Sequence, residues 1–202
     1  MAFRSHDDFA MSLRYDAHAA LIPIDVQQAF DLAASSNPMM EANGLRLLAA
    51  WRAAGLPLLH VRHDSVQPGS PFRAGQPGNA LRAGFAPQGD EPLVTKSVNA
   101  AFIGTDLDLR LRRLGVTHVV LFGMTTDMCV STTARVAANL GYHATVVGDA
   151  TAAFDLVDID GRTLTAREVE RAHLATLNAE FAEVVTTDAV LAALRGGSRA
   201  VA

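Results

Sequence analysis

The chain carries a single cysteine, Cys129, within the stretch VVLFGMTTDMCVSTTARVAANLG (residues 119–141). An apolar run ends at Gly123, a short polar step follows, and Cys129 then opens an amphipathic run that stops at Gly141. Unpaired backbone N–H groups and the positive end of a helix dipole favour a thiolate at such a position. The chemistry on offer is nucleophilic: an activated sulfur, a base to take its proton, and a cation to help hold charge. Asp25 closes the run AALIPID (19–25) and is a candidate base; Lys96 closes PLVTK (92–96) and is a candidate cation. Backbone N–H groups around residues 125–129 are free to face a developing oxyanion. Each signal is weak alone, because free cysteine is among the most buried residue types and aspartate at a strand end is commonplace. The chemistry depends on whether the fold brings the three together.

The elements that must position them can be read from periodicity. AALIPID reads as a buried strand, and PMMEANGLRLLAAWRAAG (38–55) as a helix. Met40, Gly44, Leu47, Leu48 and Trp51 share its apolar face, and Gly55 suits its C-terminal cap. LPLLHVRH (56–63) is the next strand. TDLDLRLRRLG (105–115) has the marks of a short helix, with Thr105 as its cap. Asp106 and Asp108 then lie at its positive end, and Arg110, Arg112 and Arg113 near its negative end. HVVLFG (118–123) is a strand, followed by a helix from about Asp127 to Leu140 and the strand HATVVGD (143–149). TAREVERAHLATLNAEFA (165–182) is a helix opened by a capping box, Thr165 to Glu168. EVVTT and DAVLAALR read as a last strand and a last short helix.

Continuous apolar strands separated by amphipathic helices imply βαβ units. The expected fold is a single-domain, three-layer α/β/α, Rossmann-like structure with a mostly parallel central sheet. The domain is expected to take in residues 1–202, with its core at about 19–194. One irregular stretch rich in glycine and proline, residues 67–92, is read as a pocket wall; packing against a neighbouring subunit is the alternative. In open α/β sheets ligands bind beyond the carboxyl ends of the strands. Asp25, His63, Asp64, Lys96 and the segment leading to Cys129 would all lie on that edge.

Bulk properties narrow the function classes. At 202 residues, half of them hydrophobic and 19% charged, the chain suits one globular domain. A net charge of −4 gives no reason to expect nucleic acid or an anionic membrane as partner. One cysteine excludes an intrachain disulfide and a Cys-rich zinc site, and it fits a reducing compartment. The N-terminal MAFRSHDDFAMSLRYD has no apolar stretch of signal-peptide length, and no run approaches the roughly 18 apolar residues of a membrane span. The expectation is a cytoplasmic protein acting on a small-molecule substrate, with no cofactor.

Three ordered blocks carry a resemblance. LIPIDVQQAF (21–30), VTKSVNAAFIGTDLDLRLRRLGV (94–116) and LFGMTTDMCVSTTARVAANLGY (121–142), the last followed by VVGDATAAF (146–154), resemble the isochorismatase-like cysteine hydrolases. That family includes nicotinamidases and N-carbamoylsarcosine amidohydrolases. The resemblance implies Asp25 as general base, Lys96 as catalytic lysine and Cys129 as nucleophile. It also implies a cis peptide at Met124–Thr125, which would turn the Thr125 N–H beside the Cys129 N–H as an oxyanion hole. Phe30 and Phe102 match positions that wall the family's substrate pocket, with Asn99 nearby. A homo-oligomer, dimer or tetramer, is expected by resemblance only.

Nicotinamidase-type members carry a metal site after the second strand, built on an Asp-x-His pair. Here that place reads HVRHDSVQPGSPF (60–72), without the pair. His60 and His63 are three apart on a strand and point to opposite faces, so they cannot chelate one ion. No metal is expected, and His63 is read instead as a pocket hydrogen-bonding residue. The implied activity is cysteine-dependent hydrolysis of a small amide or ureido C–N bond through a thioester. Two alternatives stand beside it: a non-catalytic or redox-sensing member that uses the Cys129 thiol, and vinyl-ether hydrolysis of the isochorismatase type, which needs no thiol.

Overall fold

Ala19–Ile24 forms β1, and all six of its residues are buried. Successive side chains of a strand point to opposite sides, so an unbroken apolar run must be covered on both faces. Ala20, Ile22 and Ile24 enter one core, and Ala19 and Leu21 the other. The computed structural model describes residues 15–32 and 35–197. The reading of the N-terminal stretch up to residue 14 lies outside them.

After β1 come α1 (Met40–Ala54), β2 (His60–His63), β3 (Leu93–Lys96), α2 (Leu107–Arg113) and β4 (His118–Met124). They are followed by α3 (Ser131–Asn139), β5 (His143–Ala152) and a small antiparallel hairpin, β6 (Leu156–Val157) with β7 (Thr163–Leu164). The chain ends in α4 (Ala166–Thr176), β8 (Glu183–Val185) and α5 (Thr187–Gly197). Six strands form one parallel sheet in the order β3-β2-β1-β4-β5-β8. The chain builds outward from β1 in one direction and resumes at β4 in the other. The strand order therefore reverses between β1 and β4, where open parallel sheets place their ligand crevice.

Two helical layers cover the sheet. Leu47, Leu48 and Trp51 of α1, with Val190 of α5, share a core with Leu21, Val120 and Phe122. On the other face Leu107 and Leu111 of α2 and Ala134 and Ala137 of α3 share a core with Ile22, Val119 and Leu121. Each fully buried Leu, Ile or Phe contributes about 1.5–3 kcal/mol. These layers hold the carboxyl edge rigid, which a site assembled from several strands requires.

Several boundaries differ from the sequence reading. The run taken as one helix from Asp127 begins as a π-turn, Thr126–Val130, and becomes α-helical only in α3. The 165–182 run keeps its capping box, with Glu168 N–H donating to the Thr165 hydroxyl at 3.3 Å and Thr165 N–H donating to Glu168 at 2.9 Å. It then leaves the α-helix at a second π-turn, Leu177–Phe181. α2 starts at Leu107, whose N–H donates to the Thr105 hydroxyl at 3.3 Å. The β6–β7 hairpin has no counterpart in the sequence reading, because two residues per strand are too few to show alternation. The 67–92 stretch divides in two. Gln67, Ser70 and Phe72 reach the carboxyl edge, while Phe85 turns inward and packs 6.4 Å from the Phe122 ring. No helix among the described residues is long and apolar enough to cross a membrane.

One contact between β1 and β4 fixes a residue type. Gly123 has φ +122°, and a Cβ there would lie 2.1 Å from the Ile24 carbonyl oxygen. Gly123→Ala is expected to destabilise the fold by about 3 kcal/mol, through strain and overpacking together. Chemical denaturation should show a lower midpoint at an unchanged slope. A loss under about 1 kcal/mol would contradict the close approach.

Candidate active site

β1, β2 and β3 end side by side, and the residues at their ends converge. His63 and Lys96 are register partners at the carboxyl ends of β2 and β3. Asp25 follows β1 at once and takes φ +50°, a conformation that few residues other than glycine, asparagine and aspartate adopt readily. The Lys96 ammonium sits at the centre. It lies 2.6 Å from Asp25 Oδ2, 3.3 Å from Cys129 Sγ and 3.4 Å from His63 Nδ1. Asp25 and Lys96 are both buried. The Lys96–Asp25 contact is therefore a close, buried ion pair.

Charge states follow from this geometry. An ammonium has no lone pair, so the His63 Nδ1 facing it is an acceptor and the ring is neutral. Burial, with Lys96 beside it, holds the His63 pKa below its usual value. Burial raises the Asp25 carboxyl above its ordinary range, and the Lys96 charge offsets only part of that. The Cys129 thiol is pushed up to about 12, by burial first and then by the Asp25 charge. Here the structure corrects the sequence reading, which places a favoured thiolate at a helix start. Burial and a neighbouring carboxylate outweigh the opposing effect of Lys96. The resting sulfur is a thiol, and its proton must leave as it attacks. The ultraviolet thiolate band, taken as a difference from Cys129→Ser, should be absent at pH 8. A full thiolate signal at that pH would contradict the burial argument.

The segment between β4 and α3 presents the sulfur. The Met124–Thr125 peptide is cis. The π-turn that follows closes with Val130 N–H donating to the Thr125 carbonyl at 3.1 Å. Cys129 immediately precedes Val130 in this turn. Thr125 is buried and lines the same cavity as Asp25 and Cys129.

That cavity measures about 310 Å³, at the small end of the roughly 300–1,000 Å³ usual for ligand pockets. Of the sequence candidates, Phe30, His63 and Asn99 line it, and Asn99 Oδ1 lies 3.9 Å from Cys129 Sγ. Phe102 does not. Its side chain is 8% exposed in the core and stacks on Tyr142 at 5.8 Å. An apolar residue near the site in sequence has been drawn into the layer beneath it. Phe72 and Met128 supply apolar wall that the sequence reading does not name. Phe72 falls within the irregular stretch flagged as a wall, so the region was visible and the residue was not.

Gln27 is the other residue without an assigned role. Fully buried, it accepts from the His63 N–H at 2.9 Å and donates to the His63 carbonyl at 3.0 Å and the Asn79 carbonyl at 2.9 Å. The Asn79 amide then donates to Asp64 Oδ1 and the Phe72 carbonyl, both at 2.8 Å. This clamp ties β1 to the end of β2 and to the wall that carries Phe72. His60 faces away from the site and contacts Glu91 at 2.8 Å, and Glu91 also pairs with Arg52 at 2.6 Å. Asp64 is held by Arg62 at 2.8 Å. Among the described residues no three His, Cys, Asp or Glu side chains are placed to hold a metal ion.

A thiol, a carboxylate and an ammonium thus meet at the switch point of a parallel sheet. The chain belongs to the isochorismatase family: the isochorismatase domain model matches residues 19–189. It is 39% identical over 175 residues to the isochorismatase family protein YrdC of Bacillus subtilis, covering 85% of this chain and 94% of that one. A crystal structure of an isochorismatase-family protein from Chromobacterium violaceum superposes with a TM-score of 0.89 at 40% identity, over 93% of this chain and all of the other. A cysteine hydrolase from Pseudomonas syringae superposes with a TM-score of 0.83 at 29% identity, over 90% and 94% of the two chains. More distant relatives include nicotinamidase 3 of Arabidopsis thaliana, 28% identical over 88% of this chain and 89% of its own length. Ureidoacrylate amidohydrolase of Variovorax paradoxus is 28% identical over 66% of this chain and 68% of its own length.

Proposed function

We propose that the protein hydrolyses the C–N bond of a small amide or ureido compound through a thioester on Cys129. The observation that carries this reading is the Lys96 ammonium held between the Asp25 carboxylate and the Cys129 sulfur beside a small cavity. The relatives named as nicotinamidase and ureidoacrylate amidohydrolase support C–N hydrolysis as the reaction class.

The reaction begins when Asp25 takes the Cys129 proton as Sγ attacks the substrate carbonyl carbon. Because burial raises its pKa, Asp25 accepts a proton more readily than an exposed carboxylate would. Lys96 offsets the negative charge that passes from carboxylate to sulfur. The carbonyl oxygen becomes an oxyanion facing the Thr125 and Cys129 N–H groups, each worth about 3 kcal/mol in acyl-transfer sites. The tetrahedral species collapses, the C–N bond breaks, and protonated Asp25 gives its proton to the leaving nitrogen. Water then attacks the thioester, with Asp25 taking one of its protons. Cleavage of the C–S bond releases the carboxylic acid, and the proton returns to the sulfur.

An ammonia-release screen over primary amides, carbamoyl compounds and ureas tests this reading. Turnover of at least one class, lost in Cys129→Ala, is the expected result. If no member of any class is turned over, C–N hydrolysis is the wrong reaction.

A further inference from the structure

The cavity wall carries chemistry that narrows the substrate, on the reading that the site is an amidohydrolase. Its apolar side is formed by Phe30, Phe72, Val66 and Met128. Phe30 stacks on Phe154 at 5.7 Å and 17°, and Phe72 meets Phe30 edge-on at 4.8 Å and 60°. Two rings on the wall of the cavity that Cys129 also lines make a surface for a flat apolar group, since aromatic rings favour stacked or edge-on neighbours.

The charges point the same way. No lysine or arginine is among the described residues that line the cavity. Lys96 touches the sulfur from below, and its charge is already matched by Asp25 at 2.6 Å. Arg62 is taken up by Asp64 through two bonds of 2.8 and 3.0 Å. His63, the one basic ring on the wall, is neutral because its Nδ1 faces Lys96. A carboxylate brought into this space would lose water and find no lysine or arginine among the described lining residues, which is costly for a charged group. The uncharged polar groups present, Ser65, Gln67, Ser70, Ser97 and Asn99, can hydrogen-bond an amide without supplying charge.

We infer that the pocket selects amides with a flat, apolar, uncharged acyl group and rejects anionic ureido acids and carboxylated amides. The test uses three probes on the full chain: benzamide, 4-carboxybenzamide, and terephthalamide, which matches the second in size without its charge. Both kcat/KM for ammonia release and the affinity for the Cys129→Ala protein, by calorimetry, are measured. Benzamide and terephthalamide are expected to exceed 4-carboxybenzamide by at least about tenfold in both measures. Ser70→Arg, which adds a cation to the wall, is expected to shrink that ratio. Equal or tighter binding of 4-carboxybenzamide would overturn the inference, as would the absence of binding by all three. If the thioester reading alone fails, turnover is missing while the preference in binding persists.

Discussion

Cys129→Ala is expected to lower turnover of any substrate of this enzyme by at least about 10⁴-fold, with little change in substrate affinity. The reason lies in how the site divides its labour. The backbone at Thr125 and position 129, the aromatic wall and the Asp25–Lys96 pair all survive the substitution, so the binding surface is nearly intact. What disappears is the atom that the proposed mechanism uses as nucleophile. Cys129→Ser separates nucleophile chemistry from shape. Its hydroxyl occupies nearly the same space, but an alcohol is harder to deprotonate than a thiol, so the rate should remain close to that of the alanine variant. Steady-state ammonia release and substrate binding, measured together, check both. Retention of more than about a hundredth of the wild-type rate in Cys129→Ala would mean that water is activated directly and that the sulfur is a bystander.

The second large effect concerns the buried pair. Removing one partner of a buried ion pair leaves an uncompensated charge and costs about 3–5 kcal/mol. Lys96→Met and Asp25→Asn should each destabilise the fold on that scale at neutral pH, because both side chains are buried. Asparagine is the apt replacement at position 25, since it tolerates the φ of +50° found there. The double variant should lose less than the sum of the two singles, since neither charge then remains. Lys96→Met also has a signature in pH. Lys96 pulls the Asp25 pKa down against the larger upward effect of burial. Without it that pKa rises further, so the acid limb of kcat/KM should move to higher pH. The same protonation neutralises the stranded carboxylate, so the stability deficit of Lys96→Met should shrink as the pH falls. Strict additivity of the singles, with an unmoved acid limb, would contradict the pairing.

The large features of this molecule are written in short-range patterns. The buried run at 19–25, the apolar stripe ending at Gly55 and the capping box at Thr165 each declare an element through local physics. Their alternation is enough to give a parallel sheet and a carboxyl edge with Asp25, Lys96 and Cys129 on it. What the sequence could not give depends on distance in space. The raised thiol pKa is one such property, because it reflects burial and the Asp25 charge rather than the position of Cys129 in its turn. Phe102 is another: nothing local tells a pocket wall from a core layer one step away, and its contact with Tyr142 decides the matter. The Gln27–His63–Asn79 clamp joins residues up to 52 positions apart. No periodicity announces such a bond.

The central claim is that a covalent acyl-enzyme forms on Cys129. Intact-mass spectrometry of the protein quenched in acid during turnover of a slow amide tests it most directly. The account gives a mass increase equal to the acyl group, located on the peptide containing Cys129, present with the wild type and missing with Cys129→Ala. Steady turnover of the same amide with no adduct at any quench time, even when water attack is slowed, would contradict it.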